Sequence, residues 1–324
     1  MKILVTGSAG HLGEALMRTL QGGPHEALGV DVLASACTTR RGSITDKDFV
    51  ATCMKGVDAV LHTATLHKPH VASHSKQDFI NVNITGTLNL LESARDAGVS
   101  RFIFTSTTST FGNALTPPAG APAAWITEDV TPVPKNIYGV TKTAAEDLCE
   151  LFTKLHGLPC IILRTSRFFP EDDDSAATRD AFDGVNAKVN ELLFRRVDIE
   201  DAVSAHLAAM ERAPEIGFGR YIISATSPFT KDDLAEVRRD APSAVRRYAV
   251  FDDVFEARGW RMFPSSDRVY VNERARRELG WRPKFDFASV LDRLRRGEEP
   301  FSPLSAEVGV KGYHPEARDI YPFN

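Results

Sequence analysis

Tyr138 and Lys142 stand one helical turn apart in the run Asn136-Ile137-Tyr138-Gly139-Val140-Thr141-Lys142. A phenol titrates near pH ~10 and is a poor acid or base at neutral pH. An ammonium at i+4 on the same helix face lies close enough to stabilise the phenolate and lower that value. The pair therefore points to a proton shuttle. A Tyr-x-x-x-Lys spacing also arises by chance on solvated helix faces, and its weight here comes from two other features. A glycine-rich turn lies at the N-terminus, and a hydroxyl cluster, Thr105 to Thr110, lies just upstream of Tyr138.

The glycine turn sits in a strand–turn–helix context. Lys2 to Thr6 reads as a short buried strand, Gly7-Ser8-Ala9-Gly10-His11-Leu12-Gly13 follows, and Leu12, Leu16 and Leu20 then recur at helical spacing. Glycines permit the tight turn and let the backbone approach a pyrophosphate, whose charge is favoured at a helix N-terminus. A second strand, Ala27 to Val30, ends at Asp31. A carboxylate there hydrogen-bonds adenosine ribose hydroxyls and repels a 2′-phosphate, so NAD is expected over NADP. Arg40 and Arg41, read as exposed charges on a short third strand, are the residues that would argue for the phosphate.

Further strands are expected at Val57–His62, Arg101–Thr105 and Cys160–Leu163, separated by long helices at Asp78–Ala97 and Tyr138–His156. Apolar strands alternating with helices predict an α/β fold, a Rossmann-like doubly wound parallel sheet. The second half is less regular, with an acidic patch (Glu171 to Asp174), a helix near 200–212, a late strand near 219–225, and a tail containing Pro300, Pro303 and Pro315. The expected division is a cofactor-binding domain over 1–166, to which the late strand returns, and a smaller substrate-binding lid and tail over 167–324. A chain of 324 residues can bury a core of that size. Its net charge of −4 leaves no footprint for nucleic acid or an anionic membrane. No apolar run approaches a membrane span. Met1 leads straight into a core strand, unlike a signal peptide, and Cys37, Cys53, Cys149 and Cys160 form no Cys-x-x-Cys pair. A cytoplasmic protein with reduced thiols is expected.

With these residues in view, the chain resembles the extended short-chain dehydrogenase/reductases, the NAD-dependent epimerase/dehydratase family, from Gly7 to about Leu291. Asp58-Ala59-Val60-Leu61-His62-Thr63-Ala64 is similar to the family's fourth strand and cofactor-contacting turn. Asn83-Ile84-Thr85-Gly86-Thr87 is similar to its Asn-x-x-Gly-Thr helix, and Leu279-Gly280-Trp281-Arg282-Pro283 to its C-terminal Leu-Gly-Trp-x-Pro. Phe104 to Gly112 resembles the segment that carries the catalytic hydroxyl, which aligns with Thr107. The resemblance implies a catalytic triad of Thr107, Tyr138 and Lys142. It implies cofactor contacts from Gly7, Gly10, His11, Leu12, Gly13, Asp31, Ser43, Ile44, His62, Thr63, Ala64, Asn83, Thr105, Ser106, Tyr138, Lys142 and Arg164, with Asn83 in a supporting role. Expected substrate contacts are His67, His70, Thr107, Thr108, Arg167 and Arg196. A homodimer through the helices Asp78–Ala97 and Tyr138–His156 is implied by the same resemblance.

Departures from the family's pattern bear on substrate. Counting back from Asp201, Phe194 occupies the place of the arginine that grips a diphosphate in nucleotide-sugar members, and Arg195 or Arg196 are out of register. Met262-Phe263-Pro264-Ser265-Ser266-Asp267 stands where an Arg-x-Gly-Asp phosphate contact belongs. The expected substrate is therefore a small polyol, sugar or sugar acid. Arg195, Arg196, Arg261 and Arg268 are the candidates to meet an acidic group, or else to pair with the acidic patch. His62, His67, His70 and His74 lack an evident carboxylate or cysteine partner, and no metal is expected. The leading expectation is an NAD-dependent oxidoreductase acting on a secondary alcohol or carbonyl. The alternatives are an NAD-dependent sugar or nucleotide-sugar epimerase and, from another class, a non-catalytic NAD-binding sensor or scaffold.

Overall fold

The structure, a computed structural model, describes residues 1–311; of the expected tail, Pro300 and Pro303 fall within them, and Pro315 lies outside the described residues. Nine strands occur among them: β1 (Lys2–Thr6), β2 (Glu26–Asp31), β3 (Arg40–Arg41), β4 (Ala59–His62), β5 (Arg101–Thr107), β6 (Ala124–Ile126), β7 (Cys160–Thr165), β8 (Phe218–Ile223) and β9 (Arg268–Tyr270). Seven form one parallel sheet in the order β3-β2-β1-β4-β5-β7-β8, and β6 pairs with β9 in a separate parallel ribbon. This is the doubly wound α/β sheet that the alternation of strands and helices leads one to expect.

Strand parity explains the layering. Side chains alternate across a strand, so Ile3 and Val5 face one side of the sheet and Leu4 the other. Ile3, Val5, Leu61 and Ile103 pack on Leu16 and Met17 of the helix His11–Gln21 and on Val203 and Ala209 of the helix Ile199–Ile216. Leu4, Val60, Phe102 and Ile162 pack on Leu90 and Leu91 of the helix Gly86–Asp96 and on Ala145 and Cys149 of the helix Ile137–His156. Covered on both faces, the central strands are apolar almost throughout. A further cluster gathers Val189, Phe229, Val245, Phe255, Val269 and Leu291 from the second half, with Trp125 of β6 packed against it.

The chain reverses direction of strand addition between β1 and β4, the position at which an open parallel sheet forms a crevice at its C-terminal edge. The expected helix Asp78–Ala97 is not continuous. It runs as a short α-turn Lys76–Phe79, a π-turn Ile80–Thr85 and the helix Gly86–Asp96. The wider turn carries Asn83, whose side chain leaves the helix to bond a neighbouring loop, a device characteristic of π-bulges near functional sites. Among the described residues no helix is long and apolar enough to cross a membrane.

Candidate active site and cofactor cleft

A cleft of about 1070 Å³ opens along the C-terminal ends of β1, β4, β5 and β7. At one end stands the glycine turn. Gly7 adopts φ +75°, and a Cβ there would lie 2.7 Å from the amide nitrogen of Ala64. A Cβ on Gly13 would lie 1.9 Å from the carbonyl oxygen of Gly7, so the first helix lies directly against the turn. Both positions demand glycine. The turn is held by Gly7 N–H donating to Val30 (2.8 Å) and Gly10 N–H donating to Gly7 (3.0 Å). Asp31, at the tip of β2, accepts from the backbone N–H of Ala9 (3.0 Å) and of Leu33 (2.9 Å). Gly10, His11, Leu12, Ser43, Ile44, Thr63 and Ala64 complete this end. A glycine cradle with no room for a Cβ, a helix N-terminus and a carboxylate past the second strand form a donor set that fits a dinucleotide.

The middle of the cleft holds Thr105, Ser106, Thr107, Thr108 and Tyr138. Thr107 ends β5 and caps the 3-10 turn Thr108–Phe111, its hydroxyl accepting from Ser109 N–H (3.1 Å). Tyr138 lies in the first turn of its helix, where Asn136 is the N-cap and accepts from Gly139 N–H (3.1 Å). Lys142, one turn on, does not line the cleft. It is 2% exposed, donates to the carbonyl of Thr105 (2.6 Å), and its ammonium lies 3.9 Å from the Phe104 ring centroid. Burial lowers its pKa to about 7, an effect that the negative charge of Glu146 opposes.

Several expected contacts lie elsewhere. His62 is buried in the sheet, with Nδ1 2.8 Å from the Thr6 hydroxyl and Nε2 2.9 Å from that of Thr87. Burial pushes its pKa well below the usual imidazole value, so it ties β1 to the Asn83–Thr87 segment as a neutral ring. Asn83 does not reach the cleft. Its side chain bonds the backbone N–H and carbonyl of Leu66 (2.8 and 2.9 Å) and the hydroxyl of Thr141 (3.0 Å), fixing the loop after β4 against the Tyr138 helix. Arg164 is paired in register with Ser106, and both side chains meet Glu146 beneath the sheet's edge: Arg164 Nη2–Oε2 is 2.8 Å, and Ser106 Oγ donates to Oε1 at 2.5 Å. Arg196 is 4% exposed and consumed by Glu191 (2.8 Å) and the carbonyl of Phe169 (3.0 Å).

The far end of the cleft is walled by His67, His70, Arg167, Phe168, Phe169, Arg195, Arg268 and Tyr270. His67 stacks on Phe169 at 5.4 Å and meets His70 edge-on at 4.5 Å. Among the described residues no group of three His, Cys, Asp or Glu is arranged to hold a metal ion. Sequence reasoning did not single out Leu66, Phe168, Phe169 or Tyr270 as lining residues. For Phe168 and Phe169 a signal existed, because they lie in the loop that leaves the C-terminal end of β7, where a parallel sheet presents its ligands.

Residues 3–223 match the model of the NAD dependent epimerase/dehydratase family. The chain belongs to that family. Membership makes it an enzyme of the short-chain dehydrogenase/reductase type with NAD as cofactor. A UDP-glucose 4-epimerase of Streptomyces lividans is 30% identical over 171 residues, which is 49% of this chain and 50% of the relative. A uronate dehydrogenase of Pseudomonas putida is 29% identical over 179 residues, 52% of this chain and 62% of the relative. The chain thus spans about half the length of the first curated relatives it matches. Among solved structures, a short-chain dehydrogenase/reductase superfamily protein from Agrobacterium tumefaciens with bound NAD superposes with a TM-score of 0.65 at 24% identity, covering 92% of this chain and 98% of that one. At that identity the likeness speaks for the fold of this family member.

Proposed function

We propose that the protein is an NAD-dependent oxidoreductase that acts on a secondary alcohol, or its carbonyl, in a small sugar-like substrate. The observation that carries the reading is the grouping of Tyr138 and Thr107 on the cleft wall, with Lys142 buried behind them against the Thr105 carbonyl. Tyr138 accepts the proton of the substrate hydroxyl through its phenolic oxygen in the oxidising direction and returns it in the other. Thr107 hydrogen-bonds the same substrate oxygen and fixes it beside the phenol. While it carries its proton, Lys142 favours the phenolate. NAD, when bound, supplies the acceptor and donor of the hydride. Gly7, Gly10 and Gly13 admit its pyrophosphate, and Asp31 meets the adenosine ribose.

A free sugar rather than a nucleotide sugar is favoured by the wall that surrounds the substrate end. Phe194 packs in the second-half cluster, and Arg196 is held by Glu191, so neither offers the bidentate grip that a diphosphate takes. The likeness to a UDP-glucose 4-epimerase supports a second reading, an epimerase that returns the hydride to the same carbon. A screen of sugars, sugar acids and nucleotide sugars that follows NADH absorbance separates the two. Net NADH from a free sugar or sugar acid supports the dehydrogenase; interconversion of a nucleotide sugar with no net NADH would replace it with the epimerase.

A homodimer forms part of the same proposal. Ile80, Val140, Leu151 and Leu155 are exposed apolar residues on the two neighbouring segments expected to pair. Sedimentation as a monomer at micromolar concentration would contradict it.

A further inference from the structure

Three arginines line the cleft: Arg167, Arg195 and Arg268. Two are neutralised within its wall. Arg167 donates to the carbonyl of Asp172 (2.6 Å) and has its Nη1 3.5 Å from Asp173 Oδ2. Arg195 is bound by Glu191 (2.5 Å) and by the same Asp173. The neighbouring Lys68 is likewise answered by Asp174 (2.8 Å). Arg268 differs from both arginines. Among the described residues it has no carboxylate partner; its Nε is buried with no hydrogen bond, as are those of Arg167 and Arg195. Its guanidinium rests against two rings, 5.9 Å from Tyr270 and 5.9 Å from Phe194. Arg195 lies against that same Phe194 ring at 5.5 Å.

The position of Arg268 is fixed by the fold. It opens β9, in register with Ala124 of β6, and its carbonyl accepts from the Ser266 hydroxyl (2.9 Å). Both rings lie within the range of cation–π attraction and help to position the guanidinium. A planar fork of donors matches one carboxylate or one phosphate group, and a charge-assisted bidentate pair is the strongest contact such a site can make. Among the described residues, Arg268 is the one cleft arginine that no carboxylate answers.

We propose that Arg268 is the anchor for a single anionic group of the substrate, a carboxylate or a phosphate monoester, and that this contact sets the enzyme's preference for acidic over neutral sugars. The inference rests on the reading of the cleft as a sugar-oxidising site. Phe194, which stands where a diphosphate-gripping arginine is expected, instead supplies the surface on which Arg268 is positioned.

Binding without turnover tests the anchor apart from that reading. The protein loaded with NADH would be titrated calorimetrically with glucuronate and galacturonate, with glucose 6-phosphate and galactose 6-phosphate, with glucose and galactose, and with UDP. The expected result is that one acid or one monophosphate binds at least about 10-fold tighter than its neutral parent. Arg268→Gln should then lower that affinity about 10- to 100-fold, the range for a lost hydrogen bond to a charged group, with Arg268→Lys falling between. The carboxylate and phosphate arms identify the anion. NADH affinity reports that each variant is folded. No anion preference in the wild type, a preference that survives in Arg268→Gln, or UDP binding that depends on Arg268 would each overturn the proposal. Loss of the oxidoreductase reading would appear separately, as turnover that is independent of Tyr138.

Discussion

Lys142 gives a pH signature that can be worked out from its surroundings. The side chain is 2% exposed, and burial brings its pKa from 10.5 to about 7. Below pH 7 the amine is charged in both folded and unfolded protein and adds no pH dependence. Between pH 7 and 10.5 the unfolded chain binds a proton that the folded chain has released, so stability rises with pH in that window. Each unit corresponds to about 1.4 kcal/mol, which makes the full window worth about 5 kcal/mol as a ceiling. Burial also raises the Cys149 thiol well above 9.0, and its contribution opposes the gain once unfolded thiols ionise. Between pH 7 and 9 the expected gain from Lys142 is at most about 3 kcal/mol. Asp201, raised by burial to about 7, opposes it near the lower limit, and Lys188, also lowered by burial, adds to it, so the difference between wild type and the Lys142 variant isolates the effect. His206, lowered by burial to about 4, contributes its own rise between there and the ordinary imidazole value and is silent above pH 7. Guanidinium denaturation without NAD, followed by tryptophan fluorescence at pH 7, 8 and 9, measures the effect. Lys142→Met should flatten the pH dependence, since the methionine has no proton to release. Parallel pH profiles for the two proteins would refute the argument that Lys142 is a buried, titrating amine.

The other expectations are briefer. Asp31→Ala removes the carboxylate at the tip of β2 and should raise the ratio of NADP to NAD affinity; wild-type binding of NADP as tight as NAD would contradict the role given to Asp31. Gly13→Ala places a Cβ 1.9 Å from a backbone oxygen that no rotamer change can move, so NAD affinity and the unfolding free energy should both fall, the latter by about 1–3 kcal/mol. An unaltered NAD titration would sink that account of the turn. Arg164→Met leaves Glu146 buried without its main partner, a loss of about 3–5 kcal/mol that Arg220, at 3.2 Å from the same carboxylate, partly offsets. Denaturation midpoints measure it, and an unchanged midpoint would show the pair to be energetically idle.

Much of the fold is legible because its signals are local. The glycine spacing after Lys2–Thr6, the apolar strands and the Tyr138 helix are each set by neighbours in sequence, and the structure places them where that periodicity leads. What escaped depends on pairing across the sheet. Whether Arg164 faces the cleft or Glu146 is decided by its register with Ser106, a partner 58 residues away. His62 has the composition of a site residue, yet strand parity turns it between Thr6 and Thr87. Asn83 was placed on a continuous helix, whereas a π-turn redirects its side chain to Leu66 and Thr141. For Arg195, Arg196 and Arg268 the sequence offers three similar cations. Only the fold shows which carboxylates reach the first two and that, among the described residues, none reaches the third.

The central claim, proton transfer by Tyr138 in an NAD-bound cleft, is tested most directly by Tyr138→Phe assayed against the best substrate of the NADH screen. The phenyl ring keeps the packing of a residue that is 8% exposed, and only the transferable proton is lost. Turnover should fall by about 10²- to 10⁴-fold while the NAD dissociation constant stays within a few-fold of wild type. Near-normal turnover with intact NAD binding would contradict the account.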